Sequence, residues 1–437
     1  MTRIHSGLYT KALVVEHPDA VLDELLRADG LQVDRATEVP DEAGLIRMLR
    51  DGGHQVLFKR SRVPVTRAVL EACPQLHAVQ LCCIGDDSVD KRACADHGVL
   101  VFNDPFSNGR SVVELAVAHL IALARRLYET NEHTRAGGFD KSQVERFEIQ
   151  GRVLGILGLG NIGRQVARAA EALGMKVVFH DTREVAREIG VEMGWEEVAT
   201  IDALFRRSDC VTVHVSAEDA RGNSNRGLLT YEHFSQLAAD RPGVSPRIFL
   251  NLARGFLYDP EDLLRAIDEG NVGRAAVDVY PEEPRGSAPW TNPYARQPRV
   301  ATTPHLGAAT VDAQPRIARR VAQTFRSYNR YGALRDCVYR PRLLLGLGEI
   351  APGSTLLAVV HSTRRGSRKA LQDAIFEAGA SNLSTVHQDF EDYGMAFDLS
   401  AIDRPLDEDQ LRYVLSHAAD LTGEAGSIRS IRQVTLA

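Results

Sequence analysis

The sequence predicts an α/β protein with two doubly wound parallel sheets, followed by a small C-terminal unit of the ferredoxin-like type. Short apolar runs alternate with helical patterns along residues 11–303, as they do in parallel α/β domains. A glycine-rich turn at residues 158–163 joins one of these runs to a helical pattern. Over residues 356–436 the predicted elements follow the order β-α-β-β-α-β, which is that of the split βαβ motif.

Composition and charge restrict the class of protein further. The chain has 437 residues, enough for two or three domains, and its 44% hydrophobic and 25% charged residues are ordinary for a globular protein. A net charge of −6 argues against a nucleic-acid binder or a binder of anionic membranes, which carry basic surfaces. The six cysteines form no C-x-x-C pair, and the sequence shows no signal peptide or membrane span. We therefore expect a reduced, cytoplasmic protein without a metal site.

The first predicted domain is discontinuous and covers residues 9–108 and 304–340. Its predicted strands are residues 11–15, 55–58, 78–83 and 99–102. In parallel sheets, ligands bind beyond the carboxyl ends of the strands. The candidate ligand contacts at these ends are Arg60, Arg62, Ile84, Gly85 and Asn108. From position alone, a solvated loop is an equally good interpretation of the two arginines.

The second predicted domain, residues 109–303, is entered and left through long helices. Ser111 and Glu114 have the spacing of a capping box, which predicts a helix that starts at Ser111 and runs to about residue 126. Another helix is predicted over residues 308–331 and would return the chain to the first domain.

Residues 153–181 contain a dinucleotide-binding fingerprint in its full context: an apolar strand, a G-x-G-x-x-G turn, a helix, a second strand and an acid. The glycines permit the tight bend, the approach of a pyrophosphate and the close packing of helix on strand. The pyrophosphate would lie at the positive end of the helix dipole. The residues of the turn and of the helix start are Gly158, Gly160, Asn161, Ile162 and Gly163.

The acid at the end of the second strand bears on the choice of cofactor. Asp181 would accept hydrogen bonds from a ribose diol and would repel a 2′-phosphate. NAD is therefore predicted rather than NADP, although Arg183, two residues later, weakens this choice. A purely structural glycine turn is the alternative interpretation of the motif.

Three later segments each place a chemically active side chain after a predicted strand. They carry Arg254, Glu283 and His305, and Asp278 directly follows the strand before Glu283. Each signal is weak alone, because a histidine before a helix is more often a cap and an Arg-Gly or Glu-Glu-Pro loop is usually solvated. Since the carboxyl ends of parallel strands meet at one edge of a sheet, the three side chains could converge beside a nicotinamide.

These residues and their spacing resemble the D-isomer-specific 2-hydroxyacid dehydrogenase family. The segments that carry the resemblance are RSRVPVT, CCIGDDSVD, VFNDPFSNGRSVVEL, GLGNIG, NLARG, AAVDVYPEEP and TPHLGA. The resemblance implies that Arg254, Glu283 and His305 are catalytic. It also implies that Asp278 lies near the nicotinamide carboxamide and that His214 belongs to the cofactor site.

The resemblance also implies a substrate. It assigns a phosphate group to Arg60 and Arg62, with Lys141 reaching in from a neighbouring subunit. Backbone N–H groups of Ile84 and Gly85 would hold the substrate carboxylate. A dianionic phosphate needs such charges, so oxidation of 3-phosphoglycerate is expected. The alternatives are another 2-hydroxy acid, such as 2-hydroxyglutarate, glycerate or glyoxylate, and an NADH-sensing corepressor-like scaffold.

The C-terminal unit, residues 350–437, resembles the ACT regulatory domain with departures. Residues 361–366, HSTRRG, stand where related enzymes have a serine-binding His-Asn-x-Pro-Gly loop. Another amino-acid effector and a structural dimer contact are therefore alternatives to serine feedback. Phe139 stands where the relatives have a tryptophan between subunits. The resemblance implies a homo-oligomer, either a dimer or a tetramer.

Overall fold

The computed structural model describes residues 2–219, 222–284, 289–339 and 343–436. The chain divides into two compact units, one formed by Met1–Ser107 with Gln314–Ala437 and the other by Asn108–Ala313. The sequence predicts a return to the first domain at residue 304, whereas the chain stays in the second unit through Ala313. Residue 340, the predicted end of that domain, lies outside the described residues.

Short strands alternate with helices along most of the chain. The strands are β1 (Arg3–Ser6), β2 (Lys11–Val14), β3 (Gln32–Arg35), β4 (Val56–Lys59), β5 (Ala78–Leu81), β6 (Leu100–Phe102), β7 (Val153–Leu157), β8 (Lys176–His180), β9 (Glu196–Glu197), β10 (Cys210–Val213), β11 (Ile248–Asn251), β12 (Arg274–Val277), β13 (Val300–Thr302), β14 (Thr355–Ser362), β15 (Asn382–Phe390), β16 (Met395–Ile402) and β17 (Ile428–Thr435). The helices are α1 (Val21–Ala28), α2 (Glu42–Gly52), α3 (Arg67–Ala72), α4 (Lys91–Asp96), α5 (Gly109–Ala124), α6 (Leu127–Arg135), α7 (Asn161–Ala172), α8 (Glu184–Glu192), α9 (Ile201–Arg207), α10 (Tyr231–Ser235), α11 (Pro260–Asp268), α12 (Ala313–Tyr331), α13 (Ser367–Glu377) and α14 (Glu408–Thr422).

The first unit contains a five-stranded parallel sheet with the strand order β3-β2-β4-β5-β6. The central strands β4 and β5 are buried along their whole length, as expected for a parallel sheet covered by helices on both faces. The sequence does not predict β3. Its residues, QVDR, are mostly polar, and its position at the edge of the sheet leaves them partly exposed.

The second unit is built on a seven-stranded sheet with the order β13-β12-β11-β10-β7-β8-β9, and all its neighbours are parallel. Alternate residues of β7 join two separate apolar clusters, with Leu157 in one and Ile156 in the other. The strand order reverses between β7 and β10, and ligands bind at such switch points. The prediction of parallel α/β sheets is confirmed.

The predicted capping box is wrong. Helix α5 begins at Gly109, and Asn108 is its N-cap residue without a side-chain cap. Ser111 therefore already lies inside the helix, where its hydroxyl cannot cap the first turn. Glu114 instead accepts a hydrogen bond from Arg110 at 2.7 Å, one helical turn away. The helix ends at Ala124, slightly earlier than predicted.

The C-terminal sheet belongs to the first unit and has the order β1-β17-β14-β16-β15. Strands β14 to β17 with helices α13 and α14 follow the predicted β-α-β-β-α-β order. The sequence does not predict β1, which pairs in parallel with β17 from the other end of the chain. Arg3 of β1 is buried and donates hydrogen bonds to the carbonyls of Leu76 and Leu70 at 2.9 and 2.8 Å. The predicted separation of residues 350–437 as a domain of their own stays a prediction.

The six cysteines are free thiols, and all but Cys83 are buried. Burial raises the pKa of Cys82, Cys94 and Cys210, which keeps these thiols protonated. Within the described ranges, no helix is both long and apolar enough to cross a membrane.

Candidate active site

Two glycines make the turn after β7 possible. Gly158 has φ +93°, and a Cβ at this position would lie 2.9 Å from the carbonyl carbon of His214. A Cβ on Gly163 would lie 2.2 Å from the carbonyl oxygen of Gly158. Larger residues are therefore excluded at both positions, as the fingerprint requires.

Helix α7 begins directly after this turn, with Gly160 as its N-cap and no side chain capping it. The N–H groups in the first turn of α7 therefore lie uncapped at the positive end of the helix dipole. Gly109 lies against this helix start, since a Cβ there would be 2.9 Å from Asn161 Nδ2 and 3.7 Å from Ile162 Cγ1. An uncapped helix start with glycines at the turn and at Gly109 fits the pyrophosphate of a dinucleotide.

Asp181 follows β8, and its carboxylate is already hydrogen-bonded. It accepts the N–H of Leu159 at 2.7 Å and the N–H of Arg183 at 2.8 Å. The half-exposed guanidinium of Arg183 also closes on it, with Nη2 2.8 Å from Oδ2. Burial raises the pKa of Asp181, but the hydrogen bonds from Arg183 and Leu159 outweigh it and hold the pKa below its usual value. The position expected to bind the ribose is thus an ion pair rather than a lone acid.

His214 follows β10 and forms one wall of the glycine turn. Its N–H donates to the carbonyl of Leu157 at 2.8 Å, which ties the ends of β10 and β7 together. Its Nε2 lies 3.0 Å from Thr212 Oγ1. Burial lowers the pKa of His214 to about 4, so the imidazole is neutral at pH 7.

Asp278, directly after β12, organises the loop that carries His305. Its buried carboxylate accepts hydrogen bonds from Thr303 Oγ1 at 2.6 Å, from the N–H of Leu306 at 2.7 Å and from the N–H of Gly307 at 2.9 Å. His305 has φ +55°, a conformation that non-glycine residues rarely adopt. The three hydrogen bonds hold the backbone in this strained conformation, which is a feature typical of functional sites.

His305 and Glu283 form a hydrogen-bonded pair at the carboxyl edge of the sheet. His305 Nδ1 donates to the two carboxylate oxygens of Glu283 at 2.9 and 3.0 Å. This hydrogen bond raises the pKa of His305, against the effect of burial. Burial raises the pKa of Glu283, but the hydrogen bond and charge of His305 outweigh it, and the net shift is downward. In the part of the chain that the structure describes, His305 Nε2 makes no hydrogen bond and is available to a ligand.

A polar turn after β11 carries Arg254. The side chain of buried Asn251 donates to the carbonyl of Arg254 at 2.9 Å and accepts the N–H of Ala253 at 3.0 Å. Arg254 Nη1 donates to the carbonyl of Ala253 at 2.9 Å. Asn251 therefore fixes the backbone from which the guanidinium extends.

Gly255 brings this turn against the segment that follows β12. A Cβ on Gly255 would lie 2.0 Å from the carbonyl carbon of Tyr280, so only glycine fits. The charge of Arg254 contributes to lowering the pKa of Glu283 and opposes the rise in the pKa of His305. A guanidinium, an imidazole and a carboxylate thus follow three neighbouring strands, an arrangement suited to binding an anion and moving a proton.

In the first unit, buried charges build the loop after β4 that carries the two candidate arginines. The carboxylate of Glu16 accepts the N–H of Arg62 at 3.0 and 3.1 Å and also the N–H of Val63. Lys59 is fully buried 3.9 Å from Glu16 and donates to the carbonyl of Arg60 at 2.8 Å. Burial lowers the pKa of Lys59, although the charge of Glu16 opposes the shift. The loop is therefore held by its backbone, which leaves the two guanidinium groups for other contacts.

The turn after β5 contains Ile84 and Gly85. The carbonyl of Ile84 accepts a hydrogen bond from Asn103 Nδ2 at 2.6 Å, and Cys83 Sγ donates to the carbonyl of Gly85 at 3.2 Å. Because the N–H of a trans peptide points opposite to its carbonyl, the N–H of Gly85 faces away from Asn103.

Asn108 and Lys141 belong to the second unit and differ in burial. Asn108 is buried, and its Oδ1 has no hydrogen-bond partner among the described residues. Such a group usually meets a ligand or an ordered water. Lys141 is exposed, with Nζ 5.4 Å from the centre of the Phe139 ring, which is itself 82% exposed.

Several supporting residues were not singled out from the sequence. They are Glu16, Lys59, Asn251, Tyr280 and Thr303. Tyr280 donates its hydroxyl to the carbonyl of Thr303 at 3.0 Å and so adds to the loop of His305. A signal exists for Lys59 and Asn251, each of which is a polar residue that ends an otherwise apolar strand. The other three give no such signal, because their partners are remote in sequence.

Comparison with known proteins shows which family the chain resembles. The family described as D-isomer specific 2-hydroxyacid dehydrogenase, NAD binding domain, matches residues 117–307. The chain is 32% identical to D-3-phosphoglycerate dehydrogenase of Haemophilus influenzae over 361 residues, which are 82% of this chain and 83% of that protein. It is 33% identical to the enzyme of the same name from Escherichia coli K12 over 374 residues, 85% of this chain and 86% of that protein.

Solved structures share the fold at lower identity. A glyoxylate reductase from Paecilomyes thermophila has a TM-score of 0.65 at 23% identity and covers 76% of this chain and 98% of its own. D-lactate dehydrogenase from Aquifex aeolicus, complexed with NAD and lactic acid, has a TM-score of 0.61 at 23% identity, with 72% and 95% covered.

Proposed function

Because the chain belongs to the D-isomer specific 2-hydroxyacid dehydrogenase family and its cofactor is NAD, we propose that it oxidises D-3-phosphoglycerate to 3-phosphohydroxypyruvate, the first step of serine biosynthesis. The relatives that carry the name D-3-phosphoglycerate dehydrogenase support this substrate over alternatives. The observation that carries the proposal is the pair of His305 Nδ1 and Glu283 Oε2, which are 2.9 Å apart.

Oxidation of a 2-hydroxy acid needs a base for the hydroxyl proton. The nicotinamide ring, when bound, supplies the acceptor for the hydride. His305 takes the hydroxyl proton on Nε2, the nitrogen that Glu283 does not hold. Glu283 keeps the other proton on Nδ1, which fixes the tautomer, and its charge stabilises the imidazolium that forms.

Arg254 would bind the substrate carboxylate and the reacting oxygen. Its planar guanidinium offers two parallel donors and stays charged at every physiological pH. Asn251 fixes the turn that carries it, so the donors are positioned before the substrate arrives. The N–H groups of Ile84 and Gly85 would contact the same carboxylate, and the unpartnered Oδ1 of Asn108 would accept from the ligand or from a bridging water.

The phosphate of the substrate would be held by Arg60 and Arg62. Both follow a strand whose terminal loop is fixed by Glu16, so the loop does not have to be ordered when the substrate binds. Lys141 would add a third positive charge from a neighbouring subunit. A substrate of the size of lactate would use none of these charges.

The substrate assignment is tested by measuring NADH formation with D-3-phosphoglycerate, D-2-hydroxyglutarate and D-glycerate, and NADH consumption with glyoxylate. We expect the highest kcat/KM for D-3-phosphoglycerate. The second candidate is a dicarboxylic 2-hydroxy acid such as 2-hydroxyglutarate, because two arginines would also bind a second carboxylate. A preference for glyoxylate over both substrates that carry a second anionic group, D-3-phosphoglycerate and D-2-hydroxyglutarate, would contradict both candidates.

Two variants distinguish the loss of a phosphate contact from general damage to the protein. Arg60→Ala is expected to raise KM for D-3-phosphoglycerate by about tenfold or more and to leave KM for D-glycerate within about twofold, because only the phosphate contact is lost. Arg47→Ala is the matched control, since this arginine is exposed on α2 of the same unit. Equal losses with both substrates would place Arg60 outside the phosphate site.

The proposal includes a homo-oligomeric assembly and a regulatory role for the C-terminal unit. A homodimer or homotetramer is supported by the resemblance, in which a tryptophan between subunits stands at the position of Phe139, and the ring of Phe139 is 82% exposed. Phe139→Ser is expected to shift the mass measured by light scattering towards the monomer. The cytoplasmic location and an ACT-type effector role for the C-terminal unit stay predictions.

A further inference from the structure

The C-terminal sheet contains a cluster of two histidines and an aspartate that the proposed reaction does not use. His361 lies on β14, His387 on β15 and Asp398 on β16, with β16 between the other two strands. The strand register pairs His387 with Asp398, and His361 with the residue two positions before Asp398. One ligand atom from each of the three side chains lies within 4.8 Å of the others.

Both ring nitrogens of His361 face oxygen atoms. Its Nδ1 lies 2.7 Å from the carbonyl oxygen of Ser362, and its Nε2 lies 2.7 Å from Asp398 Oδ2. Both oxygens only accept hydrogen bonds, so both ring nitrogens would have to donate, whereas a neutral imidazole has a single N–H. The contact between Nε2 and Oδ2 therefore needs either an additional proton or a cation that binds both atoms from one side.

The second half of the cluster is unsatisfied. His387 Nδ1 and Asp398 Oδ1 are buried 3.2 Å apart, yet neither makes a hydrogen bond within the described chain. Asp398 is completely buried, and among the described residues its Oδ1 has ion-pair contacts with His387 Nδ1 at 3.2 Å and Arg368 Nε at 3.5 Å but no hydrogen bond. A buried carboxylate oxygen without a hydrogen bond costs free energy. The side chains of His361 and His387 are stacked with ring centroids 5.8 Å apart. Their ring nitrogens approach the carboxylate of Asp398 from the two strands on either side of β16.

We propose that His361, His387 and Asp398 bind one divalent transition-metal ion, with Zn²⁺ the ion that fits best. Two imidazoles and a carboxylate are ligands that Zn²⁺ accepts at about 2.0–2.2 Å, with a fourth position open to water or a small ligand. A cation between the side chains replaces the missing proton at His361 and satisfies Asp398 Oδ1. The hydrogen bond from His361 Nδ1 to Ser362 is the outer contact that orients a metal-bound imidazole.

Arg368 marks the access route and competes with the ion. Its Nε lies 3.5 Å from Asp398 Oδ1, and its side chain is half exposed. Arg368 also lines an open surface cavity of about 480 Å³ with Lys369, Gln372, Asn382 and Thr385. Because a guanidinium and a metal ion would compete for the same oxygen, Arg368 has to turn outward when the ion binds.

The spacing of these ligands explains why the sequence predicts a protein without a metal site. The three residues lie on three different strands and follow no C-x-x-C or H-x-x-x-H pattern. Only the register of the sheet brings them together.

The site is tested on the full-length chain, purified without a polyhistidine tag and stripped with a chelator. Co²⁺ is then titrated and its visible d–d absorption recorded, and Zn²⁺ is measured by equilibrium dialysis and elemental analysis. We expect saturable binding of about one ion per chain, with the intense Co²⁺ bands of a four-coordinate site. The readout does not depend on dehydrogenase activity, so it fails or succeeds independently of the proposed function.

Variants assign the binding to these residues. His387→Gln is the main variant, because His387 lies on the edge strand β15 and is only partly buried, and it should weaken binding by about tenfold or more. His361→Gln is a second variant with the same expectation. His417→Gln is the matched control, since His417 also pairs with an aspartate, Asp373, at 3.0 Å in the same unit. Arg368→Gln should bind the ion more tightly.

Two results would overturn the assignment. One is the absence of saturable Co²⁺ or Zn²⁺ binding to the wild-type chain, which would leave an imidazolium held by Asp398. The other is binding that persists in both His387→Gln and His361→Gln while circular dichroism shows that the variants are folded.

Discussion

Two of the imidazole–carboxylate pairs in the described chain have nearly the same length and opposite character. In the second unit, His305 Nδ1 and Glu283 are 2.9 Å apart, and their side chains are 49% and 37% exposed. In the C-terminal sheet, His361 Nε2 and Asp398 are 2.7 Å apart, and their side chains are 3% and 0% exposed. The first pair lies at the ends of strands, and the second lies on the strands themselves.

The difference lies in whether a ring nitrogen remains for proton transfer. His305 is held through one nitrogen only, so the other can exchange a proton, and its loop is strained and externally supported by Asp278. His361 is held through both nitrogens by acceptors, so it has no nitrogen left for acid–base chemistry. A histidine–carboxylate pair is therefore not by itself a catalytic feature. The position relative to the strand ends and the number of engaged nitrogens decide its use.

Replacing the histidine of each pair is expected to give the largest contrast. His305→Gln should lower kcat for the acid substrate by about 10²–10⁴-fold, because the general base is lost. His361→Gln should leave kcat per folded molecule within about twofold, because His361 is assigned no role in the reaction. Steady-state rates on folded protein check this, and a comparable loss in both variants would erase the distinction between the pairs.

Replacing the carboxylate of the buried pair is expected to act on stability. Asp398→Asn should lower the free energy of unfolding by about 3 kcal/mol, because it removes one charge of a buried network with His361 and His387. Glu283→Gln should change it by less than about 1 kcal/mol, because the pair it breaks is half exposed. Urea unfolding followed by circular dichroism measures both, and equal midpoints for the two variants would show that burial does not separate them.

Replacing Glu283 is expected to change the pH profile of the reaction rather than the stability of the protein. Glu283 raises the pKa of His305, and oxidation needs the neutral imidazole, so wild-type activity is lost as the pH falls through this raised value. Glu283→Gln removes the charge, and the acid limb of kcat/KM is expected to move to lower pH. The plateau of kcat should also fall by about tenfold or more, since the imidazolium loses its counter-charge. An acid limb at an unchanged pH would mean that another group controls it.

A third ion pair, Asp181 with Arg183, combines a buried acid with a half-exposed arginine and should give the smallest effect. Arg183→Ala frees the carboxylate for a ribose diol and removes a cation that attracts a 2′-phosphate. The ratio of kcat/KM for NAD to that for NADP is expected to rise by about three- to tenfold. Arg187→Ala is the control, because Arg187 pairs with Glu197 at 3.5 Å outside the turn. A ratio that falls in Arg183→Ala would show that Arg183 favours NAD.

Local sequence patterns predicted the elements that depend on neighbouring residues. Gly158 is required by its positive φ and Gly163 by a contact with Gly158 in the same strand–turn–helix segment, and their spacing is therefore visible in the sequence. The capping box failed for the opposite reason, since where α5 begins depends on the residues before Ser111 as well as on the motif. The supports of the site, such as Glu16 under the arginine loop, are contacts between segments and left no local pattern.

The sequence by itself determined the glycine turn and the placement of Arg254, Glu283 and His305 after predicted strands, because these follow from side-chain periodicity and from steric limits within short segments. The catalytic roles of the three residues come from the family resemblance and stay a proposal. Tertiary structure alone decided that β1 joins β17, that Asp278 holds the His305 loop, and that His361, His387 and Asp398 meet. These are pairings across strands, and their register depends on the packing of the whole sheet rather than on any stretch of the chain.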